Sequence, residues 1–121
     1  MENYNVNYSV HLPSYSIGPD CYNEVPYVTR FFGKTAVVLG ETAMEKAKPA
    51  LLKGVEGSDV ELLGFLPYGG DSTYENGDAL IANPLVRKAD MIFAMGGGRA
   101  CDTGKYVADK LDKPLFTFPT V

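Results

Sequence analysis

One histidine and two cysteines stand among the 121 residues, and those scarcities remove whole classes of chemistry. A single imidazole, His11, cannot assemble a metal centre, and no Ser-His-Asp, Cys-His or paired-Glu arrangement is legible. Cys21 and Cys101 are too few for a disulfide framework and lack metal-ligand spacing. No stretch approaches the roughly 18 apolar residues of a membrane span. The polar start Met1-Glu2-Asn3-Tyr4-Asn5 has neither the basic nor the apolar part of a signal peptide. A cytoplasmic protein without membrane association is therefore expected. A net charge of −4 and the absence of any Lys/Arg cluster argue against a nucleic-acid surface. Internal repeats, low-complexity segments and linkers are also missing.

What remains is the composition of one α/β domain, 45% hydrophobic and 21% charged. The pattern divides it into residues 1–33, a hairpin and a helix, and residues 34–121, an α/β core. Tyr8–His11 and Tyr15–Ile17, separated by Pro13 and ended by Gly18, predict the hairpin. Asp20 is expected to cap a helix running to about Phe32, where Gly33 stops it. Thr35–Leu39, Val60–Leu66, Met91–Met95 and Leu115–Phe118 read as strands. A helix from Thr42 is expected to kink or restart at Pro49. Another, capped by Asp71 or Ser72, is expected to cover Tyr74–Lys88 with interruption at Gly77 and Pro84. Alternation of short apolar strands with helices predicts a Rossmann-like parallel sheet flanked by helices.

The densest signal is Gly96-Gly97-Gly98-Arg99-Ala100-Cys101-Asp102-Thr103-Gly104-Lys105, placed between an apolar strand and a helix. Without Cβ atoms the glycines let a bulky anion approach backbone N–H groups at the positive end of the helix dipole. A purely structural turn usually needs one glycine, so three in a row favour a phosphate cradle. The pattern is not G-x-G-x-x-G and does not follow the first strand, so a conventional dinucleotide fold is excluded. Cys101, beside the same helix start, reads as a mildly reactive thiol or as a small packed residue, the second favoured.

Glu41 follows the first core strand and falls at the carboxyl edge of the sheet, where open α/β folds bind ligands. A carboxylate there can accept both hydroxyls of an adenosine ribose and repel a 2′-phosphate, favouring NAD over NADP. The competing reading makes Glu41 a first-turn acid serving the helix dipole. Asp102 and Lys105, three apart, have a local ion pair as their alternative to a positional role.

The run Gly96-Gly97-Gly98, then Asp102-Thr103-Gly104-Lys105, resembles the signature of the glycerol dehydrogenase and iron-containing alcohol dehydrogenase family, which shares its fold with dehydroquinate synthase. Tyr68-Gly69-Gly70-Asp71 is similar to the family's turn after the second strand, and Pro114 to Pro119-Thr120 to the strand entering its Pro-Thr turn. Together these cover about Tyr8 to Val121. The resemblance implies that Gly96, Gly97, Gly98, Arg99 and Ala100 form the pyrophosphate loop. It places Asp102 near the nicotinamide and its ribose, Glu41 where the family has Asp, and Thr120 on the adenine side. Arg99 departs from the family's Ser or Lys; a guanidinium there adds a phosphate contact or blocks the empty cradle. Gly104 replaces a common Ala, at a cost of roughly 1 kcal/mol in a helix.

The same resemblance implies hydride transfer between NAD and an alcohol held on zinc or iron, in a cleft closed by a C-terminal helical domain that supplies the metal ligands. These 121 residues carry no such ligand set. They are expected to be the dinucleotide-binding domain (residues 1–121), to bind NAD weakly, to bind no metal and to turn over nothing alone. A missing catalytic domain, or its separately encoded equivalent, is the expected partner, and a homo-oligomer is a further expectation. Two other readings stay open: a cofactor domain like that of dehydroquinate synthase or glycerol-1-phosphate dehydrogenase, and a non-enzymatic binding or assembly module.

Overall fold

The computed structural model describes residues 21–119. The hairpin expected at Tyr8–Ile17, the Asp20 cap, and Thr120 lie outside the described residues.

Four short apolar segments form the sheet. Strands β1 (Thr35–Gly40), β2 (Glu61–Pro67), β3 (Met91–Gly96) and β4 (Leu115–Pro119) pair in the order β2-β1-β3-β4. Every pairing is parallel. The two central strands are buried almost throughout, as continuous apolar runs covered on both faces must be. Side chains alternate between the faces with a period of two. Val37, Leu39 and Ile92 join a core beneath helices α3 (Tyr74–Ala82), α4 (Pro84–Lys88) and α5 (Gly98–Leu111). Ala36, Val38, Met91, Phe93 and Met95 join a second core beneath α2 (Thr42–Val55) and the N-terminal segment. There Phe93 meets the rings of Phe116 and Phe118 at centroid distances of 5.7 and 5.1 Å.

The chain moves from β1 outward to β2, then crosses back over β1 to β3. Because crossovers keep one hand, reversing direction places α2 on one face and α3 to α5 on the other. The reversal leaves a crevice between the carboxyl ends of β1 and β3, the position at which open α/β sheets take ligands.

Several boundaries differ from expectation, each for a local reason. The helix expected up to Phe32 is a 3-10 turn, Cys21–Glu24, followed by the single α-turn α1, Val25–Val28. Pro26 lacks the N–H that would continue α-helical bonding from the residues before it. Helix α2 runs through Pro49 without a break. Pro49 and Glu45 are both exposed, so water can serve the Glu45 carbonyl that proline leaves unbonded. The cap of α3 is Thr73, whose hydroxyl accepts the Asn76 N–H at 3.1 Å, rather than Asp71 or Ser72. Gly77 does not interrupt α3; it is buried beneath the Tyr106 ring, which occupies the space a Cβ would need. The break comes at Asn83-Pro84, where Asn83 Oδ1 accepts the Leu85 N–H at 2.8 Å and Pro84 opens α4.

The amino edge of the sheet is tied by side chains. Asp90 accepts the N–H groups of Lys34 and Thr35 at 2.9 and 3.1 Å. Lys113 Nζ donates to the carbonyls of Val86 and Arg87 at 3.0 and 2.6 Å, and to that of Ala89, closing the C-terminus of α4.

A candidate dinucleotide site at the switch point

The three glycines after β3 have different reasons to be glycine. Gly96 ends the strand with φ +147°, and a Cβ there would lie 3.0 Å from the Ala100 methyl. Both conformation and packing therefore favour glycine at that position. Gly97 is the N-cap of α5 with φ −83°, and Gly98 is the first helical residue. A Cβ on Gly97 or Gly98 would meet nothing within 4 Å. Both are exposed, and neither has a conformational or packing need for glycine.

No side chain caps α5. Its first intrahelical bond is Cys101 N–H to Gly97 O at 3.1 Å, so the N–H groups of Gly98, Arg99 and Ala100 have no partner within the helix. They lie at the positive end of a 14-residue helix. Ala100 is buried as a whole residue, so the exposed residues of the turn are Gly97, Gly98 and Arg99. Asp102 lies one turn further along and is exposed; among the described residues it forms no ion pair with Lys105. Cys101 is half-buried, with Sγ 3.8 Å from Gly96 O. Burial pushes its thiol pKa up, Lys105 opposes and Asp102 adds to the rise, and the packed reading holds.

Across the crevice, Gly40 pairs with Met95 and touches it closely: a Cβ on Gly40 would lie 2.6 Å from Met95 O and 2.6 Å from Met44 Cβ. Glu41 follows as the N-cap residue of α2, yet its side chain caps nothing. Its carboxylate instead accepts the Gly69 N–H at 3.1 Å, in the turn after β2. Glu41 thus stands at the start of α2, where the dipole reading puts it, and also bonds the neighbouring turn. Glu41 and the glycine run thus flank one crevice, although 54 residues separate Glu41 from Met95 at its other wall.

Sequence reasoning named the turn after β2 but not its contacts with both walls of the crevice. The turn Gly69-Gly70-Asp71 has φ +99° and +88° at its glycines. Asn76 Nδ2 donates to Asp71 O at 2.8 Å and holds it. Asp71 Oδ1 lies 3.6 Å from Arg99 Nη1, with the two side chains 71% and 72% exposed. The available signal was the two adjacent glycines and an acid at the carboxyl end of a strand.

The open, donor-rich surface over Gly97 and Gly98 fits a dinucleotide's phosphates. A resident metal is a different matter: among the described residues no three His, Cys, Asp or Glu side chains converge, so these residues do not fit one. No described helix is long and apolar enough to cross a membrane.

The sequence model of the family described as iron-containing alcohol dehydrogenase matches residues 13–121. The chain belongs to that family. A glycolaldehyde reductase of Halobacterium salinarum is 30% identical over 110 residues, which are 85% of this chain and 30% of the relative. Glycerol dehydrogenase of Schizosaccharomyces pombe shares the fold with a TM-score of 0.72 at 20% identity, over 83% of this chain and 25% of that one. Maleylacetate reductase of Agrobacterium tumefaciens does so with a TM-score of 0.67 at 20% identity, over 83% and 28%. The chain thus spans less than a third of the length of these relatives. The family resemblance and the parallel α/β fold expected from sequence are both borne out.

Proposed function

We propose that these residues bind NAD across the switch-point crevice, as the cofactor-binding part of an alcohol or polyol dehydrogenase. One observation carries the reading. Gly97 and Gly98 are glycine without structural need, at a helix start whose N–H groups have no helical partner. The cofactor's pyrophosphate would rest on Gly96, Gly97, Gly98, Arg99 and Ala100, taking the backbone N–H groups of the first turn of α5. Glu41, held from the far side by Gly69, would accept the adenosine ribose hydroxyls and disfavour a 2′-phosphate, hence NAD over NADP. Asp102 and Thr120 complete the proposed set, toward the nicotinamide and the adenine. NAD supplies a hydride acceptor for alcohol oxidation when bound. The described residues hold no donor set for zinc or iron, and no step through a metal is assigned to them. Binding is expected to be weak where these residues alone line the cofactor.

The test is an amide NMR titration with NAD and, separately, NADP. Shifts centred on Gly96–Asp102 and Glu41, larger for NAD, are expected. A folded spectrum that NAD leaves unchanged would refute the reading. A Gly97→Val variant sharpens the test, because open space and φ −83° let it fold. Its melting temperature should fall by only a few degrees, the cost of a poorer N-cap, while NAD affinity falls about tenfold or more, as loss of one good anion contact implies.

A further inference from the structure

The turn after β2 touches both walls of the crevice. Gly69 donates its N–H to the Glu41 carboxylate at 3.1 Å, and two residues later Asp71 pairs with Arg99 at 3.6 Å. At the carboxyl edge, β1 lies between β2 and β3. The Asp71–Arg99 pair therefore reaches from the turn of β2 to the turn of β3, past the end of β1 where Glu41 sits. Arg99 is the cation of the glycine turn itself, and its charge is already matched by an acid.

We propose that Asp71 is a coenzyme-selectivity residue of this protein, acting beside Glu41. It adds a second negative charge on the ribose side of the crevice, and it engages the guanidinium that would otherwise receive a 2′-phosphate. The inference rests on the NAD reading above. Its logic is electrostatic. A 2′-phosphate carries nearly two negative charges, and it would meet Glu41 directly while finding Arg99 neutralised. NAD lacks that group and feels Asp71 only through the pyrophosphate. Removing the Asp71 charge should therefore help both coenzymes, and NADP more.

Fold integrity does not depend on this carboxylate. It is exposed, and the turn is held through the Asp71 backbone carbonyl by Asn76 Nδ2 and by the Thr73 N–H at 3.1 Å. Asp71→Asn should fold as the parent does.

The experiment measures dissociation constants of NAD and NADP for the full chain, for D71N, for R99M and for the double variant D71N/R99M, at low and at moderate salt. The ratio of NADP to NAD affinity should rise about fivefold in D71N, the effect of one unit charge roughly 4 Å away in water. The rise should shrink with added salt. It should be smaller in the step from R99M to the double variant, where only the direct repulsion is lost and no guanidinium is left to release. A D71N variant whose two affinities change by the same factor, or not at all, overturns the assignment while leaving the NAD site intact. A ratio that rises equally with and without Arg99 also overturns it, since the guanidinium would then play no part. A parent chain that binds neither coenzyme defeats the NAD reading, and this assignment with it.

Discussion

At Gly104 a helix and a strand come too close for any side chain. A Cβ there would lie 2.6 Å from the Ala94 Cβ on β3 and 3.2 Å from Leu115 Cδ1 on β4. The roughly 1 kcal/mol that glycine costs a helix interior is outweighed by the close packing it permits. Gly104→Ala, a stabilising change on propensity alone, should instead destabilise by about 1–3 kcal/mol, read as a lower urea midpoint at unchanged slope. Asp90 offers a pH-dependent counterpart. Hydrogen bonds from the Lys34 and Thr35 backbones hold its carboxyl below the usual carboxylate range. A folded pKa below the unfolded value adds stability above about pH 4, which is lost as pH falls through the folded value. Asp90→Ala keeps the Cβ that meets Gly33 and removes those bonds. The gap in urea midpoint between parent and variant should be larger at pH 7 than near pH 2.5.

Among the elements, Lys113 does what no residue of α4 can do for itself. A helix of five residues, Pro84–Lys88, leaves most of its carbonyls without helical partners. One ammonium gathers those of Val86 and Arg87, with Ala89 beside them. Burial lowers the Lys113 pKa, and Asp90 opposes that shift. Lys113→Met keeps the aliphatic stem and should cost about 1 kcal/mol, because the part-buried carbonyls of Val86 and Ala89 would lose their donor; thermal unfolding measures it. The elements also explain what could be read beforehand. Met91–Met95 announces a buried parallel strand because nothing polar interrupts it, and the glycine run marks the following turn. Pro49 misled because its effect depends on whether the orphaned carbonyl faces water, which is a property of the packed helix. Thr73 prevailed over Asp71 and Ser72 because cap choice depends on one hydrogen bond to Asn76. The pairing of Asp71 with Arg99 escaped notice because the two lie 28 residues apart and meet only when β2 and β3 flank β1. Glu41 was legible as an edge acid, but its bond to Gly69 was not.

For the whole molecule, strand order decides where chemistry can go. With β1 and β3 at the centre, the last residues of both strands open on one crevice, and Glu41 and the glycine run border it. A ligand that bridges those segments favours the folded state over the unfolded chain. NAD at ten times its dissociation constant should stabilise the domain by about 1.4 kcal/mol, seen as a rise in melting temperature that grows with the logarithm of NAD concentration. NADP at the same concentration should give a smaller rise.

The helix start after β3 also has a consequence in time. The N–H groups of Gly98, Arg99 and Ala100 precede the first bond of α5, whereas the Cys101 N–H is the donor in that bond. The amides of the exposed Gly98 and Arg99 can thus trade hydrogen for deuterium with little hindrance, whereas that of Cys101 must wait for the helix to open. The protein carries its own stopwatch at the place where an anion would arrive. Any phosphate accepting those N–H groups would slow them directly, and the Cys101 amide only as far as the ligand holds the helix closed.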